Sequence, residues 1–151
     1  MRSLAVAAML LALAIGCRRS PPGPAALDTR HDTCAHCRMA VSDVHFAAQL
    51  VAPGEEPRFF DDIGCLRDWL HANPRVPARA IAFVADHGDG RWVPAASAVY
   101  VRVPGLQTPM GSHLIAHVAA MSTAADPSAT GGTQLTAADV FGPSGPPNGA
   151  P

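Results

Sequence analysis

The chain has 151 residues, 15 of them proline, and a formal net charge of −1 at pH 7. A chain of this length forms one small domain with a modest core. Its near-neutral charge argues against the basic surface that nucleic-acid binding requires. The sequence contains no serine–histidine–aspartate pattern, phosphate-binding loop or matched carboxylate pair, so we predict that the protein is not an enzyme.

The N-terminal segment has the pattern of an export signal, which we predict at residues 1–16. An apolar run at residues 4–15 is followed by Gly16 and Cys17. The run is shorter than the roughly 20 apolar residues of a membrane-spanning helix. Gly16-Cys17 resembles a bacterial lipobox, which predicts that Cys17 is the lipidated first residue of the mature chain. An ordinary secreted protein with a chance cysteine is the alternative.

The folded domain is predicted between two segments that lack core-forming side chains. Residues 17–30 are rich in proline, so we expect a flexible, lipid-anchored linker. The domain is expected at residues 31–141. The tail at residues 142–151 contains no core-forming residues and is expected to be disordered.

The apolar patterns inside the domain predict an α+β fold. Strands are predicted at residues 45–53, 58–60, 80–86 and 98–103. A helix is predicted between the second and third strands, because Asp61-Asp62 suit an N-cap and Asn73-Pro74 suit a helix end. The order strand, strand, helix, strand is typical of an α+β arrangement. Residues 112–120 fit a strand or a helix, and residues 131–136 fit a short last strand.

The segment DTCAHCRMAV, residues 32–41, concentrates side chains that bind soft metals. Cys34, Cys37 and Met39 lie within six positions. Thiolate and thioether sulfurs together suit monovalent copper and few other biological metals. Such a short loop also closes at little entropic cost and leaves the ion near the surface, which favours its transfer to a partner. We therefore predict a Cu(I) site formed by these three side chains.

Two other interpretations of the cysteine pair stay open. A thiol–disulfide oxidoreductase would use Cys34 and Cys37 as a redox couple on the copper-site cysteines of a client protein, although no apolar strand precedes them. A structural zinc site would add His113 and His117, although their separation from the cysteines fits no common finger spacing. The first alternative predicts that Met39 is dispensable, and the second predicts a domain that unfolds without metal.

Two further side chains have ambiguous patterns. Cys65 lies in the first turn of the predicted helix and is either a third thiolate, favoured by the helix dipole, or a buried inert thiol. His36 lies between the two cysteines of the motif. We expect His36 to be exposed to solvent, because copper already has soft ligands there.

Together these segments resemble the NosL family of lipid-anchored copper-binding proteins associated with nitrous oxide reductase maturation. The resemblance runs from about residue 30 to residue 141 and rests on DTCAHCRMAVSD, RFFDDIGCLRDWL and TPMGSHLIAH. It implies two related ββαβ units and Cu(I) bound in the periplasm. Many relatives have C-x-x-C-G-M where this chain has Arg38, and glycine at that position would permit a positive φ.

The resemblance also adds candidate ligands from the second half of the chain. Met110 matches the Thr-Pro-Met segment of the family and is a candidate for completing the copper shell. His113, three residues further on, is the histidine that we favour as a ligand.

The prediction is thus a lipoprotein of the cell envelope that faces the periplasm and carries copper. It binds Cu(I) through Cys34, Cys37 and Met39, together with Met110 or His113. It delivers the ion to a membrane or periplasmic partner, which the resemblance implies to be the nitrous oxide reductase assembly machinery.

Overall fold

A computed structural model describes residues 20–150. The predicted signal peptide at residues 1–16 and the predicted lipidation site at Cys17 lie outside the described residues. Within residues 20–150, no helix combines the length and the apolar character that crossing a membrane requires.

The first half of the domain is a four-stranded antiparallel sheet with one helix. Its strands are β1 (Ala48–Val51), β2 (Arg58–Phe60), β3 (Ile81–Ala85) and β4 (Trp92–Pro94), and their spatial order is β2-β1-β3-β4. Helix α1 (Ile63–Ala72) connects β2 to β3. The predicted strands and the predicted helix are confirmed in this half. The sequence patterns did not indicate β4, because three residues that include a proline give no alternating signal.

The second half is a three-stranded antiparallel sheet with two short helices. Its strands are β5 (Val99–Arg102), β6 (Leu114–His117) and β7 (Thr133–Leu135), in the order β6-β5-β7. Helix α2 (Ala120–Ala125) connects β6 to β7, and α3 (Ala137–Phe141) follows β7. The ambiguous segment 112–120 therefore contains strand β6 and the first residue of α2, and the predicted last strand is confirmed.

The two halves are related ββαβ units. The first unit is β1-β2-α1-β3 and the second is β5-β6-α2-β7, and in each the first strand lies between the other two. The registers also agree, because Ala48 pairs with Phe60 in the first unit and Val99 pairs with His117 in the second. In both units the first residue of the central strand thus faces the last residue of the edge strand. The α+β fold with two related ββαβ units is confirmed.

One apolar core joins the units. It contains Phe60 and Leu66 from the first unit, Tyr100 and Leu114 from the second, and Phe141 from α3. Burying an apolar side chain of this size contributes about 1.5–3 kcal/mol. The units therefore fold as one domain.

Both ends of the described chain are fastened to the first sheet. The Ala25 N–H donates to Gln49 Oε1 at 2.7 Å, and Gln49 Nε2 donates back to the Ala25 carbonyl at 3.2 Å. Near the other end, Ala82 N–H donates to the Pro147 carbonyl at 2.8 Å. Main-chain hydrogen bonds of this kind need no large apolar side chains. The flexible linker at residues 17–30 and the disordered tail at residues 142–151 stay predictions.

Candidate metal centre

The C-x-x-C-x-M segment is a tight loop closed by its own backbone. The Cys34 N–H donates to the Met39 carbonyl at 2.8 Å, and the Arg38 N–H donates to the Cys34 carbonyl at 3.0 Å. Arg38 has a φ of +68°, in the left-handed region. Glycine is the residue that adopts this conformation without steric cost. The loop thus has the backbone shape for which the glycine of the related motif is suited, and arginine adopts it here.

Strand β2 brings this loop to helix α1. The Ala35 N–H donates to the Phe59 carbonyl at 2.8 Å, so the loop lies along β2. The chain continues from β2 into Asp61 and then into the first turn of α1, which carries Cys65. Pairing of the loop with β2 therefore places cysteines from two distant segments side by side.

The result is a cluster of three thiols and one carboxylate. The ligand atoms of Cys34, Cys37, Asp61 and Cys65 all lie within 4.8 Å of one another. The cysteines form no disulfide, and the Cys37 thiol donates to an Asp61 carboxylate oxygen at 3.3 Å. Within the part of the chain that the structure describes, this is the one group of three or more cysteine, histidine or acidic residues in such an arrangement.

Two members of the cluster go beyond the sequence-based set. Cys65 was open between a third thiolate and an inert thiol, and the structure places its Sγ within the cluster, where it could become a ligand once a metal ion displaces its proton. Asp61 was missed, because it was grouped with Asp62 as a helix cap. Only Asp62 caps the helix, by accepting the Gly64 N–H at 2.6 Å, and Asp61 is buried beside the thiols. The sequence did contain a signal for Asp61: one carboxylate is enough to cap a helix, so the second of two adjacent aspartates was free for another role.

The pKa values of the three thiols differ, and only the pKa of Cys34 is lowered, which favours its thiolate, the form that binds a cation. A hydrogen bond from the Cys65 thiol lowers the pKa of Cys34 to about 6, against the opposing effect of burial. Burial raises the pKa of the Cys37 thiol to about 11. The same hydrogen bond to Cys34, together with burial, raises the pKa of Cys65 far above its ordinary value. A bound metal ion would displace these remaining thiol protons.

Asp62 ties the Met110 segment to the end of α1 that carries Cys65. Its Oδ2 accepts the Thr108 hydroxyl at 2.7 Å and the Met110 N–H at 3.0 Å. The Met39 and Met110 side chains are 54% and 46% exposed. The second unit thus contributes a thioether-bearing loop next to the helix of the first unit. The parts of Met39 and Met110 as ligands stay predictions.

The histidines considered from the sequence lie outside the four-residue cluster. His113 donates from Nδ1 to the Leu106 carbonyl at 2.7 Å, which leaves Nε2 as the lone-pair nitrogen of the neutral ring. Its role as a copper ligand stays a prediction. His36 is exposed, as expected. The cluster contains neither His113 nor His117, so the described structure does not form the two-cysteine, two-histidine zinc site.

Three thiols, two of them buried, beside a buried carboxylate on a small α+β domain are typical of a metal-binding protein. A family model described as NosL matches residues 24–142, and the chain belongs to the NosL family. The fold is similar to the crystal structure of the copper chaperone NosL from Shewanella denitrificans, with a TM-score of 0.60 and 18% sequence identity. The match covers 77% of this chain and 94% of that chain.

A comparison with curated proteins finds no match. Membership of the NosL family agrees with the prediction that the chain is not an enzyme.

Proposed function

We propose that the protein carries copper, binding it at the cysteine cluster and passing it to a partner protein. The observation that carries this proposal is the convergence of three free thiols and the Asp61 carboxylate within 4.8 Å. Membership of the NosL family and the likeness to a structure described as a copper chaperone support it. Copper is the cargo, so the proposal requires that the domain stays folded after release, and its extended apolar core is consistent with that requirement.

The donor atoms favour monovalent copper. Thiolates from Cys34, Cys37 and Cys65 are soft ligands, and the thioethers of Met39 and Met110 are soft as well. The carboxylate of Asp61 is a hard donor, and its role is different. Its negative charge attracts the cation, and its oxygen accepts the Cys37 thiol hydrogen in the metal-free state. His113 Nε2 is a further donor for completing the shell.

Two exposed thioethers suit the handover step. Met39 and Met110 are reached from solvent, whereas Cys34 is fully buried. A partner that offers soft sulfur donors would exchange ligands first at the exposed methionines. We further propose that the lipid at Cys17 holds the domain at a membrane of the cell envelope, facing the periplasm. The nitrous oxide reductase assembly machinery is the proposed recipient there.

The redox alternative has less support in the geometry. Thiol–disulfide exchange begins with attack by an accessible thiolate. Cys34 is the thiol with the lowered pKa, yet it is fully buried. The pair also lies in a closed loop beside β2 and does not open a helix. Replacing Met39 separates the two functions, since dithiol exchange does not need a thioether.

The test is an anaerobic Cu(I) titration of the reduced full chain in detergent against a competing chelator. We expect one tightly bound equivalent, and an affinity about 10- to 100-fold lower in Met39→Ala and in Cys65→Ala. The matched control is Met121→Ala, because Met121 is 85% exposed on α2 and is expected to be irrelevant. Absence of tight binding, or binding that is unchanged in Met39→Ala, would refute the predicted carrier site. Met110→Ala and His113→Ala identify the remaining ligand.

A further inference from the structure

Arg38 carries a charge that the domain leaves without a partner. It lies between Cys37 and Met39 and is exposed to solvent. Within residues 20–150, its guanidinium makes no hydrogen bond, ion pair or contact with an aromatic ring. By contrast, the guanidinium of Arg58 on strand β2 lies 3.6 Å from the Glu55 carboxylate. The Arg38 side chain therefore makes no polar contact that would explain its presence in the fold.

The backbone at Arg38 makes arginine an unfavourable choice for the fold alone. Its φ of +68° lies in the left-handed region, where a side chain has a steric cost that glycine avoids. A residue held in such a conformation without a compensating contact inside the chain suggests a function. We therefore looked for the role of Arg38 outside the chain.

The position of Arg38 indicates where that role lies. Cys34 is fully buried and Met39 is 54% exposed, so copper bound at the cluster is reached from the Met39 side. A receiving protein must bring its own ligand to the same side. An arginine at that place suits a carboxylate, because the two groups form parallel hydrogen bonds that fix their relative orientation.

On the basis of the copper carriage proposed above, we propose that Arg38 binds a carboxylate of the protein that receives the copper. The contact holds an acidic segment of the recipient, which also carries the accepting sulfur ligands, against the copper loop beside Met39. A cavity of about 340 Å³ next to the loop is lined by Arg38, Thr33 and Phe59, among others, and gives room for such a segment. The carboxylate orients the recipient, and the sulfur ligands take the ion.

The charges around Arg38 favour a protein carboxylate over a membrane surface. Arg38 and Arg58 line the cavity together with Asp32 and Glu56, so with His31 neutral the two signs balance there. Anionic lipid headgroups are bound by clusters of about four to eight basic side chains. One unpaired guanidinium among acidic neighbours instead suits one carboxylate that a folded partner places.

The first measurement compares two synthetic peptides as copper acceptors. Both contain three methionines at the same spacing, separated by glutamates in one peptide and by glutamines in the other. The full chain in detergent is loaded anaerobically with Cu(I), and transfer is followed by the loss of the Cu(I)–thiolate absorption. At low ionic strength we expect transfer to the glutamate peptide to be roughly fivefold faster, and added salt should remove this advantage.

Two variants connect the advantage to Arg38. Arg38→Gln should abolish it, while the Cu(I) affinity stays within about twofold of the parent. The matched control is Arg75→Gln, because Arg75 is also exposed but follows the end of α1 that is remote from Cys65. This control should keep the advantage. Equal rates for both peptides in the parent, or an undiminished advantage in Arg38→Gln, would overturn the proposal. A large loss of Cu(I) affinity in Arg38→Gln would also overturn it, since Arg38 would then act on the bound ion.

A second measurement needs no copper, so it separates failure of this contact from failure of copper carriage. Fluorescence anisotropy of the labelled glutamate peptide is recorded with the metal-free full chain in detergent at low ionic strength. The parent should bind the peptide about threefold more tightly than Arg38→Gln does. Equal binding by the two proteins would refute the contact whether or not the chain carries copper. If phosphatidylglycerol added to the micelles abolishes the difference, Arg38 binds lipid headgroups, and the proposal is wrong.

Discussion

Replacing Asp62 with alanine is expected to lower the free energy of unfolding by about 3–4 kcal/mol. Asp62 is fully buried and accepts three hydrogen bonds, from the Gly64 N–H, the Thr108 hydroxyl and the Met110 N–H. Loss of a helix cap costs about 1 kcal/mol. Each hydrogen bond to a charged acceptor is worth about 1.5–3 kcal/mol. For the bonds from Thr108 and Met110 we use the lower end of this range, about 1.5 kcal/mol each, because their loop can move and let water replace the lost acceptor.

The assay is thermal unfolding followed by circular dichroism. For a domain of about 130 residues, 1 kcal/mol corresponds to roughly 3–4 °C, so Asp62→Ala should unfold about 10–15 °C below the parent. Thr108→Val removes two hydrogen bonds, the one that its hydroxyl donates to Asp62 and the one that it accepts from the His113 N–H at 3.2 Å. It leaves the cap and should lower the midpoint by about 7–10 °C. Asp62→Asn keeps the cap acceptor and should fall between the two. If Asp62→Ala is no less stable than Thr108→Val, the assignment of Asp62 as the joint between the two units is wrong.

Four other experiments test different parts of the structure. Cys65→Ala should raise the pKa of the Cys34 thiol from about 6 towards its ordinary value. In a pH titration, the thiolate absorbance of this variant should therefore rise at a higher pH than in the parent. In the parent, the folded state has lost a proton that the unfolded state keeps, so urea titrations should show stability rising with pH from about 6 to about 8.5. Arg38→Gly should raise the free energy of unfolding by about 0.5–1 kcal/mol by relieving the positive φ, and an unchanged or lower value would contradict that strain. Gly64→Ala places a Cβ 2.7 Å from Ser112 Cβ and should cost about 1–3 kcal/mol in urea unfolding. Ser112→Gly should restore most of that loss.

The sequence predicted most of the first unit because its elements carry strong local signals. Helix α1 has an acidic cap, a periodic apolar face and an Asn-Pro end, and β3 is a continuous apolar run. Short elements gave no such signal. Strand β4 contains a proline, and α2 consists mostly of alanine and small polar residues without a side-chain cap. Their conformations follow from the strands that they pack against.

The candidate site was predictable only where its ligands are neighbours in sequence. Cys34 and Cys37 lie in one motif, whereas the contribution of Asp61 and Cys65 depends on the pairing of the motif loop with β2. Such pairing is a main-chain contact and is independent of side-chain type.

If Cys17 carries the proposed lipid, the two hydrogen bonds between Ala25 and Gln49 limit how far the domain can move from the membrane. Eight residue steps separate Cys17 from Ala25, and an extended chain spans at most about 3.3–3.6 Å per residue, or roughly 28 Å in all. With the lipid that we propose at Cys17, strand β1 stays inside a layer of that depth. Encounters with a recipient in the same membrane then occur within a thin shell, where the effective concentration of each protein is far higher than in the surrounding volume. A tether this short favours a recipient protein in the same membrane over one that diffuses freely.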